Sequence, residues 1–79
     1  YHVVMHNDDF TTMEFVVEIL ITIFNKGREE AAALMMAVHK NQKAVVGTYS
    51  YDIARTKAEE AERQARAEGF PFRLTVEEA

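Results

Sequence analysis

Between Val4 and Phe15 the chain reads Val-Met-His-Asn-Asp-Asp-Phe-Thr-Thr-Met-Glu-Phe. This sets an imidazole (His6), a carboxamide (Asn7), two carboxylates (Asp8, Asp9) and two hydroxyls (Thr11, Thr12) side by side. Groups of these types can accept from a cation, ligate a metal or move protons. They can also do something plainer. Thr11 and Glu14 have capping-box spacing, in which hydroxyl and carboxylate satisfy the free N–H groups of a helix start. On spacing alone, Asn7–Asp9 reads as a solvated Asx-type turn. Catalytic readings each meet an obstacle. Adjacent Asp8 and Asp9 diverge instead of flanking one bond as a glycosidase pair must. Ser50, the only serine, is better used as a helix cap than in a triad. The three glycines are too scattered for a phosphate loop. His6, Asp8, Asp9 and His39 are zinc-type donors, but their spacing follows no familiar site. No catalytic residue, metal or cofactor is therefore expected.

The flanking segments must position this stretch. Tyr1 to His6 has the β-branched and aromatic density of a strand. A helix is predicted from Met13 to Asn25, with Glu14, Glu18, Thr22 and Asn25 as its one polar stripe and apolar residues elsewhere, hence a core helix. Gly27 is expected to end it in a left-handed conformation. A second helix is predicted from Arg28 to Lys40, its first-turn glutamates facing the positive end of the dipole. Asn41-Gln42-Lys43 turns into a strand over Ala44–Tyr49, with Gly47 as a candidate bulge. Ser50 is expected to cap a third helix that Gly69 stops, with Ile53, Ala54, Ala58, Ala61 and Ala65 on its buried face. Glu59–Arg63 and Glu62–Arg66 are expected as pairs on its wet face. Phe70–Val76 gives a last strand. The order β-α-α-β-α-β predicts an α+β fold: one small two-layer domain over residues 1–79, a three-stranded sheet packed with three helices.

Composition narrows the function. The content of 48% apolar and 28% charged residues is that of a folded globular chain. A net charge of −4 argues against a nucleic-acid partner, which needs Lys and Arg. No apolar run approaches a membrane span, and without cysteine there is neither disulfide nor thiolate chemistry. Tyr1 in place of Met suggests an upstream segment. His39 lies four residues after Met35, on the same helix face. It either takes a dipole-favoured place near the helix end or faces the Asn7–Asp9 turn across the helical hairpin, and spacing leaves both readings standing. Met5, Met13, Met35 and Met36 read first as core filling. A soft apolar pocket rimmed by Asn, Asp and His acceptors would also suit a ligand with a greasy body and a cationic head.

Val4–Val16 resembles the signature of the ClpS family, bacterial adaptors that recognise N-degrons. Ala31–His39 resembles the family's second conserved segment and Gly47–Lys57 its third, so the resemblance spans nearly the whole chain. It implies a cytoplasmic adaptor, not an enzyme. Such an adaptor binds proteins beginning with Leu, Phe, Tyr or Trp and hands them to the ClpAP protease. By resemblance, Asn7, Asp8 and His39 hold the substrate's α-amine and first peptide unit, supported by Asp9 and Thr11. Met5, Met13, Val16, Met35, Val38 and Phe72 line the side-chain pocket, with Met13 excluding β-branched Val and Ile. Asp52 and Lys57 fall where the family meets the N-terminal domain of a ClpA-type AAA+ unfoldase. Three positions depart from the common pattern: Thr12 for proline, Phe10 for tyrosine and Phe72 for leucine, the last reshaping the pocket. The family's N-terminal extension, used in delivery, is absent from this chain. Protonating His39 would replace an acceptor with a like charge, so acid is expected to weaken binding. The competing reading is a docking module without degron binding, for which the C-terminal domain of the ribosomal stalk protein is a fold-level analogy.

Overall fold

Alternation sets the first element. In β1 (His2–His6), Val3 and Met5 are fully buried and belong to the main core cluster, whereas Val4, with opposite parity, does not. The computed structural model describes residues 1–79 in the order β1, α1 (Met13–Thr22), α2 (Arg28–Asn41), β2 (Lys43–Thr48), α3 (Tyr51–Ala67), β3 (Arg73–Glu77). β1 runs in the centre of the sheet, antiparallel to β2 on one side and β3 on the other. At its C-terminal end His6 pairs with Lys43 of β2 and with Arg73 of β3. The predicted α+β architecture of three strands and three helices is present.

The core is built where the helical layer meets the Val3/Met5 face. α1 contributes Val16, Ile19 and Leu20, followed by Phe24; α2 contributes Ala31 and Val38. Ile19 and Leu20 are wholly enclosed, and burial of such side chains contributes about 1.5–3 kcal/mol each. On α3 the buried residues are Ala54, Ala58, Ala61 and Ala65, small enough for close approach to the sheet. Ile53, expected on that face, is 51% exposed, because it precedes Ala54 by one position and so lies about 100° around the helix.

Several end signals differ from expectation. α1 stops at Thr22, and Asn25, not Gly27, takes the left-handed backbone (φ 57°). Gly27 is instead the extended residue that precedes α2. α2 runs through Asn41 and closes on Gln42, also left-handed at φ 71°. Ser50 occupies the N-cap of α3, but its hydroxyl makes no capping bond. Gly69 at φ 82° does stop α3 as expected: Gly69 N–H donates to Arg66 C=O and Phe70 N–H to Ala65 C=O, the paired bonds of a Schellman end. The ion pairs on α3 are Arg55–Glu59 and Arg63–Glu60. Glu62 and Arg66 are used elsewhere: Glu62 accepts from Leu74 N–H at 2.9 Å, and Arg66 donates to the carbonyls of Phe70 and Phe72. Both anchor the chain leading into β3. The bulge near Gly47 is present, with the β1–β2 register jumping from Val3–Gly47 to Val4–Val45. A Cβ at Gly47 would run into the Tyr49 ring, so the packing itself requires glycine there.

Candidate functional site

The polar turn between β1 and α1 is built around Asp8. Its Oδ1 accepts from Phe10 N–H at 2.8 Å and Thr11 N–H at 2.7 Å, and its Oδ2 accepts from the Thr11 hydroxyl at 2.7 Å. This is the Asx-type turn that the spacing suggested. Thr11 therefore does not cap α1. Thr12 does, accepting from Phe15 N–H, so the Thr11–Glu14 capping box does not form. Burial pushes the Asp8 carboxyl up, but the Thr11 hydroxyl and the two backbone N–H groups outweigh it and hold the group below its ordinary value. Asp8 thus stays ionised. A carboxylate has about four lone-pair sites, of which this turn uses three.

The other side of the site comes from α2. Met35, Val38 and His39 lie on one face at i, i+3 and i+4, with His39 in the last turn. Together with Met13 and Val16 of α1 and Asn7, Asp8, Asp9 and Thr11 of the turn, they enclose a cavity of about 210 Å³. The sharper reading of His39 is the one the fold realises: it faces the Asn7–Asp9 turn. Asn7 N–H donates to Gln42 C=O at 2.9 Å, tying the turn to the end of α2. Sequence reasoning passed over Gln42 as an ordinary turn residue. A non-glycine left-handed C-cap carries little signal in a single sequence, and the bond uses only its backbone. The Asn7 carboxamide and His39 imidazole make no hydrogen bond within the chain, so their capacity is unspent.

Two residues expected on the cavity wall stand behind it. Met5 is wholly buried in the core, because strand alternation points it into the helical layer. Phe72 is 1% exposed and packs edge-on against Phe15, with ring centroids 5.9 Å apart. It borders a void of only about 20 Å³ that shares Asn7, Asp8, Thr11, Val16 and Val38 with the main cavity. Phe72 thus backs the wall. Away from the cavity, Asp52 is exposed in the first turn of α3. Lys57 is half-buried; its ammonium donates to Ile23 C=O at 2.7 Å and lies 5.3 Å from the Tyr49 ring centre. Nowhere do three or more His, Asp or Glu side chains gather as a metal-ligand group. No helix is long and apolar enough to cross a membrane.

What the cavity offers is a cation-accepting rim over an apolar floor, held by a two-layer α+β sandwich. At about 210 Å³ it is smaller than the ~300–1,000 Å³ of drug-sized sites, and it suits one amino-acid residue. These are the features of a small recognition domain. Residues 1–75 match the family described as "ATP-dependent Clp protease adaptor protein ClpS". The ClpS adapter protein of Desulforapulum autotrophicum is 49% identical over 77 residues, covering 98% of this chain and 74% of its own length. That of Neisseria gonorrhoeae is 53% identical over 78 residues, covering 99% and 75%. Among solved structures, Agrobacterium tumefaciens ClpS2 bound to L-phenylalaninamide superposes with a TM-score of 0.93 at 38% identity, covering 96% of this chain and 92% of that one. The chain belongs to the ClpS family, the adaptor proteins of the ATP-dependent Clp protease.

Proposed function

We propose that this adaptor is an N-degron receptor that binds proteins with an N-terminal Leu, Phe, Tyr or Trp. It then delivers them in the cytoplasm to ClpAP through the N-terminal domain of a ClpA-type unfoldase. The observation that carries this reading is the convergence of Asn7, Asp8 and His39 on the same cavity as Met13, Val16, Met35 and Val38. A free α-amine brings one positive charge and three N–H donors, which need acceptors once water is displaced. The unspent Asn7 oxygen, the remaining Asp8 lone pair and the acceptor nitrogen of the His39 ring supply three. Asp9 adds negative charge at the rim, and Thr11 holds Asp8 in place.

Below the rim, burial of a Leu or Phe side chain contributes about 1.5–3 kcal/mol. Branching at Cβ would meet Met13 at the mouth, whereas branching at Cγ clears it. The relative bound to L-phenylalaninamide supports the same chemistry, because that ligand pairs a free α-amine with one bulky side chain. In the unfoldase contact, exposed Asp52 is the residue free to reach a partner, and Lys57 acts by fixing α3 to the end of α1. The test is fluorescence anisotropy with labelled peptides that differ only at residue one. Binding of the Leu, Phe, Tyr and Trp peptides with loss for Val supports the reading. Equal binding of Val, or no binding of any peptide, contradicts it.

A further inference from the structure

The four methionines carry the only sulfur in the chain, since there is no cysteine. Their accessibility is graded: Met5 is wholly buried, Met35 is half-buried, and Met36 and Met13 are 46% and 50% exposed. Of the two exposed ones, only Met13 belongs to the cavity. As the first residue of α1 it also lines a second concavity of about 490 Å³, together with Val17, Arg28 and Met35. A wall shared by two hollows can be reached by solvent from one while it meets a ligand in the other. A thioether is flexible and polarisable, which lets it fit side chains of different shape. The same sulfur can take up one oxygen atom and become a sulfoxide, which is polar. The apolar lining of the cavity, Val16, Met35 and Val38, has no side-chain donor to offer that oxygen, and the charges on the rim, Asp8 and Asp9, are negative.

We propose that Met13 is a reversible oxidation site that turns degron binding down. A hydroperoxide, hydrogen peroxide being the simplest, supplies the oxygen. A lone pair of Met13 Sδ attacks one peroxide oxygen, and the S–O bond forms as the O–O bond breaks. Sulfur gives up two electrons to the peroxide, and the departing hydroxide takes the proton of the transferred oxygen and leaves as water. A first side chain entering the cavity then covers an unpaired polar group, a cost that the thioether wall does not impose. Methionine sulfoxide reductases return the residue to the thioether, the oxygen leaving as water while two thiols are oxidised to a disulfide. This rests on the degron reading given above and adds a control to it.

The experiment treats the folded wild-type chain with hydrogen peroxide, removes the peroxide and maps sulfoxides by mass spectrometry. Fluorescence anisotropy with a methionine-free peptide beginning with Leu then reads the affinity. Met13→Leu and Met36→Leu chains are run alongside, each compared with itself before and after treatment. Met13 and Met36 should convert first and Met5 last, its survival as a thioether reporting that the fold is intact. The oxidised wild type should bind about fivefold more weakly or worse, the low end of the cost of covering an unpaired polar group. Met36→Leu should lose the same factor and Met13→Leu little of it. The two reductases, one for each sulfoxide epimer, should restore the wild type. A Met13 that stays a thioether while Met36 converts overturns the site. A Met13 sulfoxide with unchanged affinity overturns the switch and leaves the degron reading standing, and a loss of equal size in Met13→Leu overturns the assignment to Met13. An untreated wild type that binds no peptide overturns the degron reading, and the switch with it.

Discussion

Removing the Thr11 hydroxyl while keeping its shape, as in Thr11→Val, tests whether the Asp8 turn is held by charge-assisted hydrogen bonding. The hydroxyl donates to Asp8 Oδ2 at 2.7 Å, within the short range of O–H···O⁻ bonds. Bonds to charged groups contribute about 1.5–3 kcal/mol, and partial exposure of this one lowers the expectation to about 1 kcal/mol. For a domain of this size that is a fall of about 4–8 °C in Tm. The pH dependence has a definite sign. Asp8 titrates below its ordinary value in the folded chain, so its contribution is complete above about pH 4 and is lost as pH falls through the lower folded value. The Thr11→Val deficit should accordingly be greatest near neutrality and shrink in acid. Thermal melts across that range, with NMR titration of the Asp8 carboxyl, read both quantities. A Tm equal to wild type at neutral pH, or a deficit independent of pH, would refute the reasoning.

Met13→Ala should open the mouth of the cavity and raise binding of peptides beginning with Val or Ile relative to Leu, as read by anisotropy. Unchanged exclusion of Val would remove Met13 as the gate. Gly47→Ala should cost about 1–3 kcal/mol in urea melts, because its Cβ meets the Tyr49 ring and so disturbs the Tyr49–Lys57 contact. His6 is held below its ordinary value, so the stability it contributes is complete above about pH 6.5 and is lost as pH falls toward its folded value. Urea melts at pH 7.5 and 5 should therefore show a loss that a His6→Gln variant reduces, and identical slopes in the two chains would contradict this.

The six elements were legible because each carries its own period: alternation in β1, one polar stripe on α1, and alanines at 54, 58, 61 and 65 on α3. Ends were less so. Asn25, two residues before Gly27, took the left-handed position between α1 and α2, although Gly27 offered the stronger local signal, and Gln42 took another at the end of α2. Thr11 and Thr12 could not be told apart as caps until Asp8 was seen to occupy the Thr11 hydroxyl. The site itself was legible only in pieces. Asn7 and Asp8 are 32 and 31 residues from His39 in sequence, and no spacing rule joins a strand end to the last turn of a second helix. The family resemblance joined them. It did not separate Met5 and Phe72 from the residues that touch the cavity, since that depends on which layer each side chain enters.

The most direct test of the central claim is the affinity of one Leu-initiated peptide with its α-amine free and with the same amine acetylated. The cavity rim is built from acceptors, so acetylation removes the charge and leaves them unpaired, at about 1–3 kcal/mol per group. Acetylation is predicted to weaken binding by at least about tenfold, on the conversion of 1.36 kcal/mol per decade. Equal affinity for the two peptides would show that Asn7, Asp8 and His39 do not hold an α-amine, and the account of this site would fall.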